Sequence, residues 1–301
     1  MKRIKNNNIM KITLSAKTDI GKERDQNEDA FIICPDLSHP IWEKEEASID
    51  LGPYGTLLAV ADGMGGANAG EVASGLAMET LKQRFSPSKL AVAYSSDQQA
   101  TDFLQASVKA ADNAIREQIL KQPETEGMGT TVVICWILKD KAYVAWCGDS
   151  RCYLFNPQTG LRALTKDHSY VQELIDKGEL TEEAAFTHPD NNVITRGLGD
   201  FDESAVADIV IQPLQPTDTL LLCSDGLCGY CTNKTIEKVM KAYSGNVSNC
   251  CKALMDTALN AGGYDNICIA LARVGSDDES EQNTSTSKAT KFLQSLFKRK
   301  R

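Results

Sequence analysis

Apolar positions come in short runs along most of the chain, and their spacing separates strands from helices. Residues 12–17 alternate, and residues 30–34 and 57–61 are short and continuous, which predicts strands. Further strands are predicted over 130–138, 142–147, 152–155, 206–212, 219–223 and 267–274. Most are separated by turn chemistry such as Lys139-Asp140-Lys141 or Asn156-Pro157 rather than by helices. That favours antiparallel meanders over parallel βαβ units.

Helical spacing appears in four places. Over 69–85, Ala69, Val72, Ala73, Leu76, Ala77 and Leu81 share one stripe, with Asn68 as a plausible N-cap. Over 103–120, Leu104, Val108, Ala111, Ile115 and Ile119 do the same, and two more helices fit 234–243 and 247–260. Strands in two blocks with paired helices beside them predict an α+β fold. Its expected form is a β-sandwich of two antiparallel sheets flanked by helix pairs.

Three segments resist that scheme. Residues 35–55 form a long polar connection, read as a surface insertion. Residues 166–202 carry only short helical pieces and read as an irregular, flap-like subdomain of the folded unit 1–275. Residues 276–289 are acidic and rich in Ser and Thr, with almost nothing to bury, and are expected to be a disordered linker. Beyond them, 290–301 form a basic amphipathic tail, with Phe292, Leu293, Leu296 and Phe297 on one face.

Composition narrows the function classes. A chain of 301 residues with 42% hydrophobic content can bury a large core. A net charge of -9 argues against nucleic acid as a partner. No run approaches the ~18 apolar residues of a membrane span, and no apolar h-region follows the basic start of the chain. Several of the ten cysteines lie inside apolar runs, as reduced thiols behaving like small hydrophobes. The expected compartment is the cytoplasm.

The acidic residues fall in unusual places. Asp62 ends the run 57–61 and is followed by Gly63-Met64-Gly65-Gly66; Asp225 ends 220–224 and is followed by Gly226. Asp265 sits between Gly262-Gly263-Tyr264 and a strand, Asp149 lies in Gly148-Asp149-Ser150-Arg151, and Glu28 and Asp29 precede 30–34. A carboxylate closing a buried strand is costly unless its charge is compensated. Any one Asp-Gly is usually a turn, but five such sites in one chain point to shared cations. Oxygen donors without nearby His or Cys suit hard ions, Mg²⁺ or Mn²⁺.

These residues carry a resemblance. The order Arg24-Asp25-Gln26-Asn27-Glu28-Asp29, Ala61-Asp62-Gly63-Met64-Gly65-Gly66, Gly129-Thr130-Thr131, Gly148-Asp149-Ser150-Arg151, Ser224-Asp225-Gly226 and Asp265-Asn266 resembles the type 2C metal-dependent protein phosphatases over roughly 12–274. The resemblance implies hydrolysis of phosphoserine and phosphothreonine in proteins by a water activated between two divalent cations. It assigns Asp62 and the Gly63 carbonyl to the metals, and Asp225 and Asp265 to one of them. Glu28 and Asp29 would complete the coordination or hold its waters, supported by Asn266, and Asp149 would serve a third, weaker position. Arg24 would clamp the substrate phosphate. It further implies a monomer whose partners are phosphorylated proteins and a cognate Ser/Thr kinase; separately, the apolar face and basic end of the tail suit contact with a membrane surface or a protein. A phosphoprotein-binding module of weak activity and a small phosphate-ester hydrolase are the alternatives.

One departure stands out. Many type 2C relatives have a His where this chain has Met64, and the Met-Gly-Gly form resembles the bacterial branch. His168, in Lys166-Asp167-His168-Ser169, reads as a surface or helix-start residue or as one facing substrate. Arg196 could touch substrate or brace its loop. Cys228-Gly229-Tyr230-Cys231 has the spacing of a redox pair without the βαβ context that such pairs occupy.

Overall fold

The computed structural model describes residues 10–42, 45–65, 69–92 and 96–275. The expected N-cap Asn68, the linker 276–289 and the tail 290–301 lie outside the described residues. In chain order the strands are β1 (Lys11–Asp19), β2 (Asp29–Cys34), β3 (Glu46–Asp50), β4 (Thr56–Met64), β5 (Gly129–Thr130), β6 (Val132–Leu138) and β7 (Lys141–Cys147). They continue as β8 (Arg151–Asn156), β9 (Gly160–Ala163), β10 (Leu198–Gly199), β11 (Asp208–Pro213), β12 (Thr219–Cys223) and β13 (Ile267–Gly275). The helices are α1 (Ala69–Arg84), α2 (Pro87–Leu90), α3 (Asp97–Lys121), α4 (Tyr170–Asp176), α5 (Glu182–Ala185), α6 (Asp225–Cys228), α7 (Asn233–Ala242) and α8 (Val247–Asn260).

Among the described residues the strands form two antiparallel sheets, ordered β3-β1-β13-β12-β8-β9 and β10-β5-β4-β6-β7-β11, with β2 also on β4. Alternation decides what each face meets. On β13, Cys268, Ala270 and Ala272 point between the sheets, while Ile267, Ile269 and Leu271 point at α7 and α8. On β4, Leu58 and Val60 face the other sheet, and Leu57, Ala59 and Ala61 face α1 and α3. Burial on both faces is why these strands read as unbroken apolar runs.

The same alternation carries polar residues to one end of the inter-sheet core. Asp62 continues the face of Leu58 and Val60, Asp29 that of Phe31 and Ile33, and Ser224 that of Leu220 and Leu222. The pairing of β2 with β4 sets Asp29 directly opposite Asp62.

The structure departs from the pattern in places. The polar connection 35–55 contains β3, an edge strand on β1. Asp62 does not close its strand: β4 runs on through Gly63 to Met64, which pairs with Gly129. Helix α3 starts before residue 103, because Ser96 caps it by accepting from the Gln99 N–H at 3.2 Å, and its polar first turns hide the helical stripe. The segment 166–202 is pinned at both ends, by the bridge of Ser169 to Ile194 and by β10 on β5.

Candidate metal centre

The carboxylates expected at strand ends meet at this end of the sandwich. Asp29 stands opposite Asp62 across β2 and β4, and the charges of Asp29, Asp225, Asp149 and Asp265 all act on Asp62, which makes Asp62 the centre of the group. Burial first, and then the charges of Asp29, Asp225, Asp149 and Asp265, push the Asp62 carboxyl well above the usual range. Asp29 and Asp149 are raised for the same leading reason. Asp225 is pushed up to about 6, by burial and then by Asp265. Such crowding of like charge needs protons or cations to be tolerated.

Backbone contacts fix this arrangement. The Asp62 carbonyl accepts from Thr131 N–H at 2.9 Å and from the Thr130 hydroxyl at 2.8 Å. The Thr131 hydroxyl accepts from Asp62 N–H and sits 2.7 Å from the Ser150 hydroxyl, so the Gly-Thr-Thr and Gly-Asp-Ser-Arg segments support Asp62 from behind. Ser224 crosses between the sheets: its hydroxyl donates to Asp29 Oδ2 at 2.7 Å and accepts from Cys268 N–H at 2.9 Å. Ser224 and Thr131 lie within the motifs quoted above, but the sequence alone gives neither a role. Their signal is a hydroxyl beside an acidic residue on the inward face.

Asn266 fastens the opposite rim. It accepts from Glu28 N–H at 2.8 Å and donates to the carbonyls of Ile20 and Gln26. Burial raises the Glu28 carboxyl, against the opposing effect of the Gly70 backbone at the start of α1. Gly63 has to be glycine, because a Cβ there would lie 2.2 Å from the Gly70 carbonyl oxygen and 2.6 Å from that of Glu28. Arg24, half exposed, bonds Asp265 Oδ2 through Nη2 at 2.8 Å.

Whether cations fit can be judged from the unmet oxygens. Asp29 Oδ1 and Asp149 Oδ1 are buried without a hydrogen-bond partner, a costly state that a hard cation relieves. Among the described residues no three His, Cys, Asp or Glu side chains close into a ready-made ligand cluster. The orphaned oxygens together with the all-oxygen donor set around Asp62 carry the fit.

The remaining candidates fall elsewhere. His168 directly precedes Ser169, the cap of α4, so it is a helix-start residue but not a surface one: it is 5% exposed and stacked on Trp146. Its Nδ1 accepts from Gly148 N–H at 3.0 Å and Nε2 lies 3.3 Å from Asp208 Oδ2, so His168 braces the turn that carries Asp149. Its polar neighbours in sequence conceal this burial. Arg196 bonds Asp208 and braces its loop. Cys228 and Cys231 are free and buried, and burial pushes the Cys231 thiol up to about 12, the opposite of a reactive pair. Met64 packs toward Gly129.

The family model described as protein phosphatase 2C matches residues 16–267. This chain belongs to that family. It is a protein phosphatase of the serine/threonine class. Among its curated relatives, the serine/threonine phosphatase stp of Listeria welshimeri is 33% identical over 255 residues, covering 85% of this chain and 93% of that protein. The solved structure of Mycobacterium tuberculosis PstP/Ppp is similar at a TM-score of 0.72 and 31% identity, covering 88% of this chain and 99% of that one. A structure of the PstP catalytic domain in complex with two manganese ions matches at a TM-score of 0.71 and 31% identity, again over 88% and 99% of the two chains. These relatives are bacterial, as the Met-Gly-Gly form implies. Among the described residues no helix is long and apolar enough to cross a membrane.

Proposed function

We propose that this phosphatase hydrolyses phosphoserine and phosphothreonine in proteins with two divalent cations, Mn²⁺ or Mg²⁺, held around Asp62. The observation that carries the reading is the half-buried Asp62 set opposite Asp29 in the β2–β4 pairing, with unpartnered buried oxygens on Asp29 and Asp149. Asp62 would serve both cations, the Gly63 carbonyl one of them and Asp225 and Asp265 the other, with Asp29 and Glu28 completing the coordination or holding its waters and Asn266 supporting them. Asp149 would serve a third, weaker position. When bound, the cations supply a water acidic enough to lose its proton near neutral pH and positive charge for the phosphoryl oxygens.

The chain's own groups do the rest. Thr130 and Thr131 hold the backbone of Asp62, and Ser224 holds the Asp29 carboxylate, by hydrogen bonds. Arg24 is positioned to exchange its bond to Asp265 for a bidentate grip on substrate phosphate, because its side chain is exposed and its partner carboxylate gains a cation. The family's His is replaced by Met64, and the buried His168 is fully engaged, so neither is available to protonate the leaving alkoxide. Phosphorylated proteins, among them a cognate Ser/Thr kinase, are the expected partners of a monomer acting in the cytoplasm. Contact with a membrane surface or protein through residues 290–301 belongs to the same proposal.

Comparing kcat/KM on a phosphothreonine peptide with that on p-nitrophenyl phosphate tests the substrate class. A peptide advantage of tenfold or more is expected; a preference for the small ester would favour the small-ester reading instead.

A further inference from the structure

Two motifs are left over once the carboxylates are placed: Cys228-Gly229-Tyr230-Cys231 and Gly262-Gly263-Tyr264. Each adjoins a proposed metal ligand, Asp225 five residues before Tyr230 and Asp265 directly after Tyr264. Each turns a tyrosine outward. Cys228 and Cys231 are both 3% exposed and root their turn in the core beneath α7 and α8, which leaves Tyr230 at the surface. On the other loop Gly262 adopts φ +142°, and a Cβ there would lie 2.0 Å from Tyr264 Cε2. The Tyr264 ring therefore folds back over bare backbone, a path that only glycine leaves open. Lys22 pins this loop by donating its N–H to the Gly263 carbonyl at 2.7 Å.

The two rings meet. Their centroids are 5.5 Å apart and their planes are tilted by 44°. Both remain among the exposed large hydrophobic residues of the described chain, Tyr264 at 54% and Tyr230 at 38%. Burial, and then the charges of Asp225 and Asp265, raise the Tyr230 hydroxyl, while Arg24 lowers it. An exposed pair of rings, carried by turns with buried anchors, thus stands on the two loops that also carry Asp225 and Asp265.

We infer that Tyr230 and Tyr264 form a substrate subsite that grips a ring-bearing side chain, aromatic or proline, within two residues of the phosphorylated Ser or Thr. Rings pack edge-to-face or offset on tyrosine, and a tilted pair offers both modes to a third ring. Continuity with the phosphate site names the occupant, since whatever lies over the rings must be chain leading to or from the phosphoresidue. The inference rests on the phosphatase reading and adds the recognition of sequence to it.

The test uses full-length protein with Mn²⁺ and a set of glycine-rich phosphothreonine peptides carrying Phe, Arg or Gly at each of the two positions before and after phosphothreonine. At one position the Phe peptide is expected to exceed its Gly counterpart by ~3- to 10-fold in kcat/KM, mainly through KM. In Tyr264→Ala and Tyr230→Ala that ratio should fall to near one, and Tyr264→Phe and Tyr230→Phe should restore it, because the ring rather than the hydroxyl is used. A wild-type ratio near one at all four positions would overturn the inference. So would an unchanged ratio in both Ala variants, an equal loss on Phe and Gly peptides, or a preference for Arg over Phe. Dissociation constants of the matching non-hydrolysable phosphonates separate the two readings. A Phe preference in binding without any turnover would leave the subsite standing and remove the phosphatase reading, whereas turnover without a Phe preference would do the reverse.

Discussion

Replacing Asp225 by asparagine removes one negative charge from the crowded end of the sandwich and keeps the side chain's size. Burial, and then Asp265, push the Asp225 carboxyl from 3.8 to about 6. Its folded value lies above its unfolded one, so the native state keeps a proton that the unfolded chain gives up, and stability in chelator falls as pH rises through that window. Above about pH 6 the cost levels off at about two units, ~3 kcal/mol at most. The carboxyl keeps some contact with solvent, so ~1–3 kcal/mol is the working range. With each kcal/mol moving Tm by ~2–4 °C in a domain of this size, Asp225→Asn should melt ~2–12 °C above wild type in chelator at pH 7.5. At pH 5 the gap should shrink to about half, because the native carboxyl is then mostly protonated. Mn²⁺ at about a hundred times its Kd stabilises the wild type by ~2.7 kcal/mol per site and should close or reverse the gap, since the variant has lost a ligand. Scanning calorimetry at both pH values, with chelator and with Mn²⁺, reads all of this. An Asn variant that melts below wild type in chelator at pH 7.5, or a gap that ignores pH, would refute the reasoning.

Arg24→Ala should lower kcat/KM on a phosphopeptide by about tenfold or more, in line with charge-assisted bonds worth ~1.5–3 kcal/mol, and Arg24→Lys should recover only part of it. Unchanged kinetics in both would mean that another cation holds the phosphate. His168→Ala should cost ~1–3 kcal/mol of stability, read by urea unfolding, since it strips a buried Gly148 N–H of its acceptor. Burial lowers the His168 pKa below 6.5, so its contribution is present above that pH and is lost as pH falls; the variant should show a weaker decline in stability on acidification. Disappearance of the acid limb of the pH–rate profile in His168→Ala would instead make His168 the general acid.

Much of this was legible in the chain. The strand over 219–223 and the helix over 247–260 agree with β12 and α8 to the residue, because apolar runs bounded by turns leave little freedom. Elements with little apolar content were not legible. The edge strand β3 exposes alternate residues and reads as loop, and β10 is two residues long. At the site, the acidic residues announced themselves by standing at the ends of buried runs. Their supports did not, since Ser224 and Thr131 act through inward-facing hydroxyls whose direction depends on the register of two sheets. The position of His168 at a helix start was legible, but its burial against Trp146 is a tertiary fact that its polar neighbours conceal. Tyr230 and Tyr264 lie far apart in sequence, and only the meeting of two loops makes them a pair.

Phosphate release from a phosphothreonine peptide, measured for wild type and Asp62→Asn in Mn²⁺ and in chelator, bears most directly on the carboxylate group as a metal centre. The expected result is turnover by wild type in Mn²⁺ alone, with chelator and Asp62→Asn each abolishing it while circular dichroism stays native. Turnover that survives chelation, or near-normal turnover by Asp62→Asn, would contradict a metal centre built around Asp62.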